Sequence, residues 1–282
     1  FDYYYDRVDV PRQPAAAEQP AAVAGFRRRR GLLDPPLPDE RVRVARAAYF
    51  ALCEYLDTQV GRVLDKLDET GLAENTLVIY ASDHGEMAGE HGCWWKSNYY
   101  EGSVGVPVVA RLPGVIPAGS HSGEICNLMD IGPTLTEVAG ATSLPRTDGH
   151  SLWQILQGHS DPRRPGETFS EHGPTRGEAC SRMIRRGQWK LYKYADDTPP
   201  VMFDLAADPQ EEHDLAGDTA LAPLRQQLLR DLFSGWDPDA VQRECERQLA
   251  DMSLLSAWGA AVKPTHEDSL AVPEDAEQIE RR

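Results

Sequence analysis

The chain has 282 residues, of which 41% are hydrophobic, so it is long enough for one large or two smaller domains with a real core. With 45 acidic against 29 basic residues, its net charge is −16, which argues against a general nucleic-acid-binding protein because a phosphate backbone would be repelled. No stretch approaches the roughly 20 apolar residues that span a bilayer, so no membrane segment is predicted.

The cysteines are scattered and show no C-x-x-C spacing; they are Cys53, Cys93, Cys126, Cys180 and Cys245. This odd number indicates neither a disulfide framework nor a zinc knuckle, and we expect reduced, mostly buried thiols. The N-terminus, FDYYYDRVDVP, lacks a signal-peptide pattern and an initiator methionine. The sequence therefore favours a cytoplasmic location, and we expect the chain to be a fragment or a processed product.

The first predicted elements are an irregular segment and a long helix. Residues 1–38 are rich in Pro, Ala and Arg without sustained periodicity, which predicts a segment that lies on a surface or wraps a partner domain. The arginine run at 27–30 is interpreted as a solvated surface, with recognition of an anion or of an acidic partner surface as the alternative. Over residues 39–70, apolar residues recur at three- and four-residue steps, which predicts an amphipathic helix that Gly71 ends.

An α/β pattern follows this helix. Short apolar runs predict strands at residues 77–80 and 106–110, separated by a glycine-punctuated loop. Helix, strand, loop and strand in this order are typical of an α/β fold. Asp130 is predicted to cap a helix that continues to Val138, and a shorter helix is predicted at residues 151–157.

The pattern changes after residue 160. Short strand-like runs between turn signals predict a small antiparallel sheet, at residues 168–171, 182–185, 189–194 and 201–205. Closing helices are predicted at residues 220–233 and 240–250. We therefore predict an α/β domain part at 39–160, a small subdomain with closing helices at 161–262, and a disordered acidic tail at 263–282.

The loop after the first strand carries the residues best suited to chemistry. Asp83 and His84 offer a carboxylate oxygen and an imidazole nitrogen, and Gly85 permits the bend that lets them converge on one cation. Such ligands suit calcium, magnesium or manganese, and the histidine keeps zinc open. Two ligands are an incomplete site, and a capping or turn role for Asp-His-Gly is the alternative.

Lys96 lies thirteen residues after Asp83 on the same loop and follows two tryptophans, Trp94 and Trp95. We expect the tryptophans to hold its stem and desolvate its ammonium, which would then bind a tetrahedral oxyanion or stabilise a leaving-group oxygen. A surface lysine lying over tryptophans is the alternative. His84 and His91 cannot form a zinc-protease pair because glycines interrupt any helix between them. We therefore expect His91 to stabilise the loop or to support a ligand, with a direct metal-ligand role as the alternative.

A family resemblance emerges when this loop is taken as a whole, SDHGEMAGEHGCWWKSNYYEGSVGVPVVARLPG. It resembles the C-terminal metal and lysine motif of the sulfatases in the alkaline phosphatase superfamily. Three later segments resemble the parts that follow in that family: NLMDIGPTLTEVAGA, SRMIRRGQWKLYKY and VMFDLAADPQEEHDLAG. The similarity covers roughly residues 39–235 and is strongest to the choline-sulfatase, iduronate-sulfatase and phosphonate-monoester-hydrolase-like branches. It implies an alkaline-phosphatase-like central mixed sheet flanked by helices, with a small C-terminal antiparallel sheet.

The resemblance also implies a function, the hydrolysis of a small-molecule sulfate ester. Asp83 and His84 would bind a divalent metal, with calcium favoured over manganese or magnesium, and Lys96 would bind the sulfate group and its bridging oxygen. The family's nucleophile is a formylglycine made from cysteine in C-x-P-S-R or a similar sequence, and none of the five cysteines has that context. We therefore expect the N-terminal half of the fold, with two further acidic ligands, to be absent, and the chain alone to turn over no ester.

Two other interpretations stay open. Phosphodiesterases and phosphonate monoester hydrolases of the same superfamily would use similar Asp-His and lysine positions. Alternatively, the chain is a non-catalytic fragment or a partner subunit that binds a metal or another protein through an unfinished sheet edge, which leaves an oligomer open.

Overall fold

The computed structural model describes residues 1–142, 144–173 and 179–262. The chain divides into two compact units, residues 1–238 and 239–282, and the predicted tail at 263–282 lies outside the described residues. The second unit is described over residues 239–262, which belong to a helix, α8 (Pro238–Val262). None of the helices in the described ranges is both long enough and apolar enough to cross a membrane.

The N-terminal segment is not irregular throughout, contrary to the prediction for residues 1–38. It contains helices α1 (Asp2–Tyr5) and α2 (Ala21–Arg29), and α2 buries Val23 and Phe26 in the core. Arg27 was expected on a solvated surface but is fully buried. Its guanidinium donates to the carbonyl of Pro14 and to Oε1 of Gln19, each at 2.6 Å, which compensates the burial of the charge. The following three arginines are exposed, as predicted.

Helix α3 (Asp39–Glu69) confirms the long amphipathic helix, and Gly71 follows it with a φ of +70°. Only three residues near its start are buried, namely Val42, Arg46 and Ala47. Farther along, Leu52 and Tyr55 are each 65% exposed, so the apolar stripe of the helix is largely uncovered within the described part of the chain.

The first sheet is the pair predicted around the loop. Strands β1 (Val78–Ala81) and β2 (Val108–Arg111) are antiparallel, with Val78 opposite Arg111. These two strands are the part of the predicted mixed central sheet that the described residues contain. Between them lie a 3₁₀ turn and a short helix, and two further helices follow β2; the four elements are the turn Glu90–Gly92, α4 (Glu101–Val104), α5 (Ile131–Val138) and α6 (Trp153–Leu156).

The second sheet confirms the small antiparallel sheet. Its four strands pair in chain order: β3 (Glu167–His172), β4 (Ser181–Arg186), β5 (Trp189–Tyr194) and β6 (Val201–Asp204). Helix α7 (Ala222–Phe233) follows, as predicted for residues 220–233. The whole sheet lies in the same compact unit as β1 and β2, so the predicted domain boundary at residue 160 stays a prediction.

Alternate side chains of these strands point to opposite sides of the sheet, and each side packs against a core of its own. One face shares a core with α2 and with the loop after β1; that core comprises Val23, Phe26, Met87, Cys93, Tyr99, Tyr100, Met183, Tyr192, Val201 and Phe203. The other face packs on α7 through Ile184, Leu191, Met202, Leu228 and Leu232. The small sheet therefore forms a wall directly beneath the loop that carries the candidate site.

A candidate metal and anion site

Asp83 and His84 begin the loop at the end of β1, where a network of short hydrogen bonds fixes the turn. Ser82 Oγ donates to the carbonyl of His84 at 2.7 Å, and the His84 amide donates to Oδ1 of Asp83 at 3.0 Å. Gly85 has no positive φ; instead its Cα lies so close to the next segment that an added Cβ would be 2.1 Å from the carbonyl oxygen of Gly102. Glycine is required here by this close approach.

The structure brings the three predicted site residues together. The Nδ1 atom of His84 is 2.8 Å from the carbonyl of Gly85, which assigns the ring proton to Nδ1 and leaves a lone pair on Nε2. Lys96 Nζ lies 2.8 Å from that Nε2 and donates to it, while Oδ2 of Asp83 lies 3.6 Å from it. One imidazole nitrogen thus faces both a carboxylate and an ammonium.

Lys96 is carried by a turn with unusual backbone geometry. Trp95 and Ser97, on either side of it, have φ values of +63° and +75°. The carboxylate of Glu86 stabilises the turn, since its Oε1 accepts from the amide of Trp95 at 2.7 Å. The expectation that tryptophans desolvate the ammonium is wrong: Lys96 is exposed, and the half-exposed ring of Trp95 instead faces the guanidinium of Arg30 at 5.7 Å.

His91 stabilises the loop, which is one of the two roles predicted for it. Its ring stacks on Tyr100 with centroids 3.9 Å apart, and its carbonyl accepts from the side chain of Gln19 at 2.9 Å. It lines a separate cavity of about 310 Å³. Burial lowers the pKa of His91 and so favours the neutral form of its imidazole.

Asp83, His84 and Lys96 line a cleft of about 960 Å³. Its floor and far wall come from the second sheet and from the loops around α5, which sequence reasoning did not connect with the site. The charged and amide-bearing residues missed in this way are Asn98, Asn127, Asp130, Asp148, His150, Arg164, Glu167, Glu171, His172 and Arg182. Their sequence distances from Asp83 leave no spacing pattern that could have revealed them.

Asp130 and Arg164 form a buried ion pair in the wall of this cleft. The carboxylate Oδ2 lies 2.7 Å from Arg164 Nη2, and each side chain is 5% exposed. Oδ1 of Asp130 accepts from the amide of His150 at 2.7 Å, and Oδ2 accepts from that of Asn127 at 3.0 Å. Asp130 does precede α5, but its side chain does not cap that helix because these partners use both oxygens.

The cysteines are less buried than predicted. Cys93 and Cys180 are buried, Cys126 and Cys245 are half-buried, and Cys53 is exposed. Burial raises the pKa of the Cys93 thiol to about 12, so this side chain is an unreactive part of the core. Cys126 lines the cleft, and burial also raises its pKa.

The metal half of the site is incomplete. Across residues 1–142, 144–173 and 179–262, no three or more His, Cys, Asp and Glu side chains are grouped closely enough to hold a metal ion. The Asp83 and His84 pair nevertheless suits a cation, because its carboxylate is exposed and its Nε2 lone pair is unprotonated. Two donors of the right chemistry are present, and a full site needs more.

Two family models match the chain. The model described as Sulfatase matches residues 3–141, and the model described as N-sulphoglucosamine sulphohydrolase, C-terminal, matches residues 89–235, just over half of the chain. Together they include both sheets and the cleft. Notably, the first match begins near the N-terminus and therefore includes α2.

Individual relatives agree with these models. The chain is 39% identical over 209 residues to a choline-sulfatase from Rhizobium meliloti (strain 1021), covering 72% of this chain and 40% of the relative. It is 37% identical over 186 residues to arylsulfatase K from Mus musculus, covering 63% of this chain and 34% of the relative. The chain thus spans well under half the length of these two relatives.

A solved structure shows the same fold. A phosphonate monoester hydrolase from Silicibacter pomeroyi superposes with a TM-score of 0.73 at 26% identity, covering 82% of this chain and 50% of that one. This agreement confirms the α/β fold class expected from the resemblance. The family models, the relatives and the shared fold all lead to one conclusion: this chain belongs to the sulfatase family.

Proposed function

We propose that the cleft is the cation-binding and anion-binding part of a site that hydrolyses a small-molecule sulfate ester. The observation that carries this proposal is the convergence of Lys96 Nζ and Asp83 Oδ2 on Nε2 of His84, at 2.8 and 3.6 Å. Membership in the sulfatase family supports the reaction class. Because the chain spans 40% of its choline-sulfatase relative, the activity is proposed for the whole protein to which these residues belong.

Asp83 and His84 would hold a divalent cation, for which calcium is favoured and manganese or magnesium are alternatives. The bound cation would neutralise charge on the oxygens of the sulfate group. The hydrogen bond from Nδ1 to the Gly85 carbonyl supports this role, because it fixes the ring tautomer that presents an unprotonated Nε2. The further ligands and the nucleophile would have to come from outside the residues described in this cleft.

Lys96 would bind the anion. Its ammonium is exposed to the cleft and is held by His84 alone among the hydrogen-bond contacts of its side chain in the described structure. Lys96 could not donate to Nε2 while His84 held a cation, since both would use the same lone pair. Its ammonium would then be available to the sulfate group, where its charge would stabilise negative charge that develops on the departing alcohol oxygen.

Titrations with calcium and with inorganic sulfate test this assignment. Asp83→Asn should weaken calcium binding at least about tenfold, a loss of ~1.4 kcal/mol. Lys96→Ala should abolish sulfate binding in the presence of calcium but strengthen calcium binding, because the competing ammonium is gone.

The matched controls are an exposed lysine and an exposed aspartate on α3. Lys66 pairs with Glu69, Asp68 pairs with Arg111, and none of these four side chains lines the cleft. Lys66→Ala and Asp68→Asn should leave both affinities unchanged. Unaltered calcium binding in Asp83→Asn, or sulfate binding that survives Lys96→Ala, would refute the assignment.

A second candidate is the hydrolysis of a phosphodiester or a phosphonate monoester. The superposition on a phosphonate monoester hydrolase, with a TM-score of 0.73, favours it, and the ammonium of Lys96 can bind any tetrahedral oxyanion. Competition between inorganic sulfate and methylphosphonate separates the two. Sulfate bound at least about tenfold tighter supports the sulfatase assignment, whereas the reverse order supports the second candidate.

A further inference from the structure

Lys190 on β5 is fully buried, although lysine is among the residues least often found inside a protein. A buried ammonium is tolerated only where hydrogen-bonding partners of opposite charge compensate it. Its Nζ lies 2.8 Å from the carbonyl of Tyr99, 2.7 Å from Oε1 of Glu101 and 2.5 Å from Oε1 of Glu211. The first two partners belong to the loop that carries Lys96.

A second cation makes this arrangement more specific. Arg185 on β4 is directly opposite Lys190 across the sheet, and like charges in opposite positions repel. The carboxylate of Glu101 bridges the two, with Oε2 lying 3.1 Å from Arg185 Nη1 and Oε1 lying 2.7 Å from Lys190 Nζ. The sheet therefore presents a pair of cations that a carboxylate from the loop must join.

Glu211 completes the cluster from a third direction. It is buried, and its Oε2 accepts from the amide of Glu101 at 2.6 Å. Burial raises the pKa of Glu211, while the neighbouring Lys190 opposes that shift. With Arg185 and Lys190 on one side and Glu101 and Glu211 on the other, the cluster has two charges of each sign and is balanced.

The cluster lies just beyond the candidate anion-binding lysine. Tyr99 and Glu101 are three and five residues after Lys96. Tyr99 makes a second contact with the small sheet, a hydrogen bond of 3.0 Å between its hydroxyl and Ser181 Oγ. Lys96 itself is exposed, and its backbone lies between two fixed points, the turn before it that Glu86 stabilises and this attachment behind it.

We infer that Lys190 is a positioning residue, which holds the C-terminal end of the Lys96 loop against the small sheet and so aims Lys96 at the anion. The inference rests on the proposed function, since it assigns the aim of the same lysine. Through Lys190 the small sheet would contribute to anion binding, although Lys190 itself is buried and does not line the cleft. The contacts at Tyr99 and Glu101 transmit this effect.

Two variants test the inference, with one control. Lys190→Met removes the ammonium, and Lys190→Met combined with Glu211→Gln also removes the carboxylate that would otherwise be buried without its partner. Lys193→Met on β5 is the control, because Lys193 donates to the carbonyls of Tyr194 and Asp196 and does not line the cleft. Hydrogen exchange of residues 94–103 reports loop order, and titrations with calcium and inorganic sulfate report the site.

In both Lys190 variants, exchange of residues 94–103 should accelerate at least about tenfold and sulfate affinity should fall at least about tenfold, while calcium affinity should not fall, because a loosened Lys96 competes less for Nε2 of His84. The double variant should regain thermal stability without regaining either property. The control should lose stability but keep the wild-type exchange of the loop and its sulfate affinity.

Wild-type loop exchange in the folded double variant would overturn the inference, and so would faster exchange with unchanged sulfate affinity. If the wild-type chain binds no sulfate, the proposed function fails on its own. Loop exchange then decides alone whether Lys190 holds this segment, so the two failures are distinguishable.

Discussion

Replacing Gly85 with alanine tests the close approach beneath the candidate site. The new Cβ would lie 2.1 Å from the carbonyl oxygen of Gly102, so the two segments must separate by about 1 Å to reach an ordinary contact. That separation breaks the hydrogen bond of 2.8 Å from the Gly85 amide to the Ser103 carbonyl. Overpacking costs about 1–3 kcal/mol and the lost hydrogen bond about 1 kcal/mol, whereas reduced freedom of the unfolded chain returns about 0.4–1 kcal/mol. We expect a net loss of about 1–4 kcal/mol.

Urea denaturation measures this loss, and Gly61→Ala is the matched control. Gly61 lies inside α3 with open space around its missing Cβ, so its replacement should stabilise the chain by about 0.5–1 kcal/mol. Because His84 Nδ1 donates to the carbonyl of Gly85, the Gly85 variant should also bind calcium more weakly. If Gly85→Ala unfolds at the same urea concentration as the wild type, Gly85 does not lie as close to the Gly102 carbonyl as described.

Three further outcomes follow from the loop and its surroundings. Burial lowers the pKa of His91, so the unfolded chain takes up the proton first, and the stability present above the ordinary histidine pKa of about 6.5 is lost as the pH falls. His91→Phe keeps an aromatic ring for the stack on Tyr100, and its free energy of unfolding should therefore depend less steeply on pH between 7 and 5; equal slopes in urea titrations would contradict this. Gly92→Ala would place a Cβ 2.4 Å from Arg27 Cζ at a φ of +67°, and we expect it to cost about 2–4 kcal/mol in the same assay, whereas wild-type stability would argue against the buried guanidinium. Finally, the purified chain with calcium should not turn over an aryl sulfate; turnover that disappears in Lys96→Ala would reverse that expectation.

The regular elements were predictable because their side-chain periodicity is local. The three- and four-residue spacing located α3 to within one residue, and the strand-like WKLYKY run between turn signals located β5 with its observed ends. The adjacent Asp83 and His84 were recognisable for the same reason, since a strand followed by a polar loop is a local pattern. The resemblance then added Lys96, which local chemistry alone left open.

The buried charges could not be predicted, because their burial depends on partners that are distant in sequence. Arg27 stands in a run of four arginines, of which the other three are exposed, and Lys190 lies 91 residues from the carbonyl it binds. The Asp130 and Arg164 pair spans 34 residues. Composition places such side chains on the surface, and only the fold shows which of them have partners that compensate the loss of water.

The alternation of β5 has a consequence for how this chain can vary in length. Leu191 packs on α7, whereas its neighbours Lys190 and Tyr192 point to the loop. Inserting or deleting one residue ahead of Lys190 within the strand would exchange these directions and send the ammonium into the apolar layer against α7. The turn at Gly187 can absorb changes that the strand cannot. The order of the Lys96 loop, on the opposite side of the core, therefore depends on which residues of β5 point towards it.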